Sequence, residues 1–298
     1  MSSARFCDHE TWDAAARSAA VRPGDAPEPV VEITPALRSW TALLGALWAR
    51  RELVGYLAWR DIRARYCQTT LGVLWAILQP LAATLVFAVV FGKLVKIQSG
   101  DVPYPVFVMT GILTWQLVSS SIQRSATSLI ANGDLIRKVS IPRLAIPLAS
   151  VATSLIEFGA ACLVLFGLMH WYGVRLPLHA GLLPLVLLLA SAMGLGVGLM
   201  LASISTRFRD VTQGLSFGLQ MWMYLTPIFY PLSLVPDRFQ FVIWCNPMTG
   251  LVGAARSVLL GTPVDARAVA MSVAWAALFL VLGGAAFRRV DRVVADVL

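Results

Sequence analysis

The sequence predicts an all-α integral membrane protein. It has six transmembrane helices, an amphipathic helix ahead of them, and a re-entrant helix pair between the fifth and sixth. Three observations predict it. Of its 298 residues, 58% are hydrophobic and only 13% charged, against about 25% charge in a soluble domain. Six runs, roughly 71–95, 106–124, 144–170, 182–204, 211–231 and 268–287, reach or approach the ~20 apolar residues that cross a bilayer. Lys and Arg also divide unevenly between the two sides of those runs, which orients them.

Residues 1–35 are polar and proline-bearing, read as a flexible cytoplasmic tail with no cleavable signal peptide. In 37–59, Trp40, Leu43, Leu44, Leu47 and Trp48 recur at helical spacing before Arg50, Arg51 and Glu52. That pattern predicts a helix lying on the membrane surface, and 36–66 as a whole is amphipathic helix plus linker. The stretch "RDIRARYCQTTLGVLWAILQPL" then places Arg60, Arg63 and Arg65 at the mouth of the first span. They serve either to receive a phosphate group, which guanidinium forks suit, or to anchor the helix among anionic lipids. Pro80, inside the span, frees the carbonyl of Ala76.

Polar stripes run along three spans. Gln68, Gly72, Trp75 and Gln79 share a face of the first. Gln116, Ser119, Ser120 and Gln123 share one on the second, with Trp115 a turn above Ser119. Gln213, Ser216, Gln220 and Tyr224 share one on the fifth. Amides, hydroxyls and flat rings suit a neutral polar substrate such as sugar; they also serve to join neighbouring helices. Trp222, about 200° round from Gln220, is expected to face another helix or lipid.

The loop 128–144 carries an Asn132-Gly133 turn, then a short helix with Asp134 at its start, Arg137 and Lys138 at its end, and Pro142 to stop it. The third span holds the one deep carboxylate, Glu157. It is either a proton carrier or an acid held neutral by one hydrogen bond near Trp115 and Gln116, with no intramembrane base to face it. The fourth has Ala190, Gly194, Gly198 and Ala202 at every fourth position, a close-packing face. The stretch 237–261 is apolar but broken at Asn246-Pro247, with halves too short to span, which predicts either two half-helices that dip in and return or a loop lying on the outer surface. Residues 67–290 thus form the six-helix domain, and 291–298 a short cytoplasmic end.

With the N-terminus inside, the inner ends hold Arg50, Arg51, Arg60, Arg63, Arg65, Arg124, Arg137, Lys138, Arg143, Arg207, Arg209, Arg288, Arg289 and Arg292. The outer side holds fewer: Lys93, Lys96, Arg175, Arg238, Arg256 and Arg267. Both termini are then cytoplasmic, and the net charge of +8 is first a matter of topology. Cys7, Cys67, Cys162 and Cys245 show no metal spacing, and since only Cys245 faces outward no internal disulfide is expected. There is no GxxxxGK[ST]; "FGKL" at 91–94 lacks the earlier glycine. HExxH, GxSxG and a convincing carboxylate pair are also missing. No catalytic or metal-binding residue is therefore assigned, and if ATP drives this chain another subunit hydrolyses it.

The stretch from Arg60 quoted above, "VPYPVFVMTGILTWQLVSSSIQRSATSLIANGDLIRKVSIPRLAIPLASV", "TPIFYPLSLVP" and "NPMTGLVGAARSVLLG" resemble the membrane subunit of type-2 ABC exporters of polysaccharide, in the O-antigen and teichoic-acid branch. The resemblance covers roughly 45–290. It implies a homodimer bound to two copies of a separate ATPase, which holds ATP and magnesium, so that no cofactor sits in this chain. It implies a bacterial inner-membrane location among membrane lipids, an undecaprenyl-pyrophosphate-linked glycan as substrate, and no nucleic-acid partner. By the same resemblance 132–140 is the coupling helix (Asn132, Asp134, Leu135, Arg137, Lys138), 37–59 an interface helix, and 237–261 an outer gate (Trp244, Asn246, Pro247). Lipid pyrophosphate is then expected at Arg60, Arg63 and Arg65, and the glycan path along Trp75, Gln79, Trp115, Gln116, Gln213, Gln220 and Tyr224. An ion- or proton-coupled secondary transporter, an exporter of capsule or teichoic acid, and a membrane transferase of lipid-linked sugars are the alternatives.

Overall fold

The computed structural model describes residues 45, 50–67, 74–97, 100–138, 141–205, 208 and 210–297. The tail, the five apolar residues from Trp40 to Trp48, Gln68, Gly72, Arg207 and Arg209 lie outside them. Among the described residues every regular element is a helix. Five helices among the described residues are long and apolar enough to cross a membrane: Leu74–Leu94, Tyr104–Ala131, Ala145–Trp171, Leu178–Ser205 and Ala266–Arg289.

Helix α1 (Arg51–Tyr66) runs through the arginines that the sequence assigns to a linker. Its Leu53, Val54, Leu57 and Ala58 pack with Ile146, Ala149 and Leu135, so a tertiary face keeps the helix going past Arg60. Helix α2 (Leu74–Phe87) passes through Pro80 and continues as a π-helical stretch, Ala88–Leu94. Helix α3 (Tyr104–Ala131) starts behind Pro103 and ends at Asn132. It is the centre of the bundle, with most of its span buried, because α2, α5, α6 and α9 all pack on it. The short α4 (Gly133–Lys138) follows, then α5 (Ala145–Trp171), stopped at Gly173 with φ 69°.

Helix α6 (Leu183–Ser205) is held on two sides by its small residues. A Cβ at Gly194 or Gly198 would stand 2.6 or 2.5 Å from the Cβ of Ser121 or Ser125 on α3. Ala190 and Ala202 of the same row are buried. On the opposite side Gly196 meets the backbone of Phe279 and Leu280, and Gly283 meets the carbonyl of Gly196.

The run 211–231 departs from expectation. It forms a helix only over α7 (Asp210–Leu225), 16 residues, or about 24 Å at ~1.5 Å per residue, short of a ~30 Å hydrocarbon core. Pro227 and Pro231 end it, since a proline ring cannot continue a helix. The chain then turns through buried Thr226, Pro227, Ile228 and Phe229. Helices α8 (Asp237–Cys245) and α9 (Pro247–Leu260) meet at Asn246, whose side chain caps α9 through the Met248 N–H at 3.0 Å. Helix α10 (Ala266–Val297) closes the bundle against α6 and α9.

Arg256, counted among outer loop charges from sequence, is instead 6% exposed. It donates to the carbonyls of Pro227 (2.9 Å) and Ile228 (2.5 Å) and sits 3.5 Å from the Phe107 ring centroid. Cys67 is disulfide-bonded, against the expectation of none, whereas Cys162 and Cys245 are free. That expectation rested on compartment alone, which says nothing of which sulfurs the fold brings together.

Candidate functional site

A cavity of about 390 Å³ opens between α2, α3 and α5. Trp75 and Gln79 of α2 line one wall, and Gln116, Ser119, Ser120 and Gln123 of α3 another. Trp75 and Gln79 of the first stripe and the four polar residues of the second thus face one space, because both sets recur at helical spacing on facing helices. Arg65, Tyr66, Arg124 and Glu157 close its end nearest α1.

These four are mutually bonded. Arg124 Nη2 donates to Glu157 Oε2 in a short ion pair. The Tyr66 hydroxyl donates to Oε1 at 2.9 Å, and Arg65 Nη1 lies 3.8 Å from the same oxygen. Burial, with the carboxylate beside it, pushes the Tyr66 phenol up to about 12, so it stays a neutral donor. The expectation that Glu157 meets no base, and is held at the level of Trp115 and Gln116, is thereby corrected. Arg124 is that base. Gln116, Ser120 and Arg124 recur every fourth residue, and that ladder was the missed signal: the arginine continues the polar face one turn beyond Ser120.

The expected phosphate arginines separate. Five residues along a helix is a rotation of about 140°, so α1 turns Arg65 and Tyr66 to the cavity and Arg60 away from it. Arg60 bonds Asp61 (2.8 Å) and the side-chain oxygen of Asn132 (2.5 Å). Neither Arg60 nor Arg63 lines the cavity. Among the α4 residues, Leu135 packs with the α1–α5 cluster, and Asp134 and Lys138 are exposed. Arg137's side chain lies outside the description.

The remaining path residues scatter. Trp115 is 7% exposed and packs edge-on to Trp222, ring centroids 5.5 Å apart. One residue before Gln116, it points about 100° away from the cavity. Trp222 faces a neighbouring helix, as its spacing expects, and also donates to Asn246 at 2.9 Å. Gln213 borders a separate hollow with Asp210 and Thr127. Gln220 and Tyr224 are exposed on α7, 3.5 Å apart. The α7 stripe touches the α3 stripe once, where Gln123 donates to Ser216 at 3.0 Å.

On the opposite side of the bundle, Asn246 also donates to Thr226 (3.0 Å) and the Leu225 carbonyl (3.2 Å). Pro247 accepts from Ser272 at 2.6 Å, and Trp244 borders a hollow with Val235 and Pro263.

Comparison with known proteins adds a family. The profile of the ABC-2 type transporter matches residues 52–260. An O-antigen export system permease protein RfbA of Klebsiella pneumoniae is 26% identical over 248 residues, 83% of this chain and 95% of the relative. A protein of the same name from Myxococcus xanthus is 30% identical over 72% of this chain and 83% of its own length. The polysialic acid transport protein KpsM of Escherichia coli is 26% identical over 67% of this chain and 78% of its own.

Proposed function

The chain belongs to the ABC-2 type transporter family, and from that premise we propose that it is the permease of an exporter moving undecaprenyl-pyrophosphate-linked, O-antigen-type polysaccharide across the bacterial inner membrane. The observation that carries this reading is the cavity. Its lining sets the amides of Gln79, Gln116 and Gln123, serine hydroxyls and the Trp75 indole beside apolar Leu113, Leu117 and Phe158, and its charge is gathered at one end. A neutral polymer must slide, so many weak, replaceable contacts suit it better than a few strong ones. The KpsM likeness favours a polymer of the polysialic acid kind as the second reading.

In this reading two copies of the chain pair with two copies of a separate ATPase, which holds ATP and magnesium. The side bearing α1, α4 and both termini is cytoplasmic. Six spans result when α7 and the buried turn after it cross together. The exposed α7 stripe of Gln213, Gln220 and Tyr224 then joins Trp75, Gln79 and Gln116 along a path at the dimer centre. Helix α1, continuing the 37–59 stretch, acts as the interface helix. Helix α4 is the coupling helix, α8 and α9 form the re-entrant outer gate around Trp244, Asn246 and Pro247, and Arg63 and Arg65 attract the lipid pyrophosphate.

Membrane vesicles holding the chain and its ATPase are expected to take up lipid-linked polysaccharide only with ATP. Uptake without ATP or without the second subunit sinks the reading. Arg60 takes a different role from the one its sequence suggests: its bond to Asn132 holds the start of α4. Arg60→Ala is expected to lower the ATPase recovered with the purified chain by about three- to tenfold, the worth of a typical net hydrogen bond. Wild-type recovery and transport would leave Arg60 as a lipid anchor only.

A further inference from the structure

Glu157 is held as a ligand would be. Two guanidinium groups and a phenol converge on its carboxylate, and both oxygens are engaged. The group is not sealed in a core: its side chain keeps 16% of its exposure and lines a cavity of about 390 Å³. A purely structural ion pair needs no such access. Arg65, 3.8 Å away and 54% exposed, is near enough to attract and free to swing. The cluster carries two positive charges and one negative, so it favours a further anion before any arrives.

The surroundings say what that anion is attached to. On one side the polar wall of Gln116 and Gln123 leads away from the cluster. Leu74 and Leu78 of α2, each one residue ahead of the cavity-lining Trp75 and Gln79, stand exposed with Leu85 as an apolar strip beside it. A molecule that satisfies all three surfaces is an amphiphile whose anionic centre joins a long apolar part to a polar one.

We propose that Arg124, Tyr66 and Arg65 form an oxyanion seat for the diphosphate of a lipid-linked glycan, and that Glu157 occupies this seat as a built-in stand-in which the diphosphate displaces. The inference rests on the polysaccharide reading and deepens it. A diphosphate offers more acceptor oxygens than a carboxylate and answers the planar donors of both arginines. While the seat is empty of substrate, Glu157 spares Arg124 the cost of an unpaired charge at a half-buried position. Once displaced, the carboxylate repels the bound anion, which keeps binding weak enough for release.

The test uses the full chain in lipid nanodiscs, with farnesyl diphosphate, farnesol and inorganic pyrophosphate as calorimetric probes. Farnesyl diphosphate is expected to bind more tightly than either of the others. Arg124→Gln is expected to weaken it by about tenfold or more. Glu157→Gln, which removes the competing charge, is expected to tighten it by about fivefold. Tightening is the result that a structural ion pair does not give. Glu157→Gln binding no tighter than wild type, with its melting midpoint unchanged, overturns the stand-in. Farnesol binding as tightly as its diphosphate overturns the seat, and pyrophosphate binding as tightly overturns the lipid source. Should Glu157→Gln fail to fold, Tyr66→Phe decides: about threefold weaker binding is expected from one lost donor, and no change rejects the seat. Vesicle uptake keeps the two readings apart, since binding without polymer uptake sinks the export function and leaves the seat standing.

Discussion

Gly283→Leu is expected to abolish the folded chain: no monodisperse species on size exclusion in detergent, and rapid cleavage by added protease. At this point α6 and α10 touch backbone to backbone. A Cβ on Gly283 would lie 2.1 Å from the Gly196 carbonyl oxygen, and one on Gly196 would lie 2.6 Å from the backbone at Phe279 and Leu280. No rotamer relieves a clash that starts at Cβ, so the two helices must separate. Separation loses the packing that replaces the hydrophobic effect inside lipid, where apolar side chains gain nothing by leaving the tails. Overpacking costs about 1–3 kcal/mol where side chains can shift. Here the obstacle is main chain, and the loss approaches the ~5–15 kcal/mol that a whole domain has. Gly253, whose Cβ meets nothing within 4 Å, is the control: Gly253→Ala should leave the elution profile unchanged, and equal damage at both positions would refute the crossing.

Arg256→Met is expected to destabilise the chain by about 2–4 kcal/mol, read as a lower thermal midpoint in detergent. The turn after α7 is rich in proline and buried, so its carbonyls have few backbone donors within reach. The guanidinium supplies two, to Pro227 and Ile228, while lying over Phe107. Gly111 leaves the space: a Cβ there would come within 2.9 Å of Arg256 Nη2. Methionine matches the length and apolar stem but leaves both oxygens without that donor. Removing the buried charge returns part of the cost, which is why the net effect stays below the sum of two orphaned carbonyls. Arg256→Lys keeps a donor and should recover about half the loss. A midpoint for Arg256→Met equal to wild type would show that water reaches the turn and that the clamp is dispensable.

Local signals were legible wherever one helix decided the outcome. Asn132-Gly133 marks the end of α3, and Asn246-Pro247 the break between α8 and α9. The row from Ala190 to Ala202 announced a close-packed face and became the contact with Ser121 and Ser125. Trp75, Gln79 and Gln116 were read from spacing as one kind of surface, and they line one cavity. Periodicity failed where the partner mattered. Trp115 and Gln116 are neighbours in sequence and were assigned together, yet 100° of rotation buries one against Trp222 and opens the other to the cavity.

Composition and the spacing of apolar runs were enough to determine a helical membrane protein and, for five of the six expected runs, a long apolar helix near the expected bounds, because the bilayer demands long helices and each helix writes its own period. They could not determine what each charge is for. Arg60, Arg65, Arg124 and Arg256 look alike in sequence, as basic residues near span ends. The tertiary structure alone gave one to Asn132, two to Glu157, and one to the carbonyls of a proline turn. The reason is physical: a charge near a low-dielectric core takes its role from whichever acceptor the fold brings within ~3–4 Å, and those acceptors come from helices distant along the chain, as Glu157 is from Arg65.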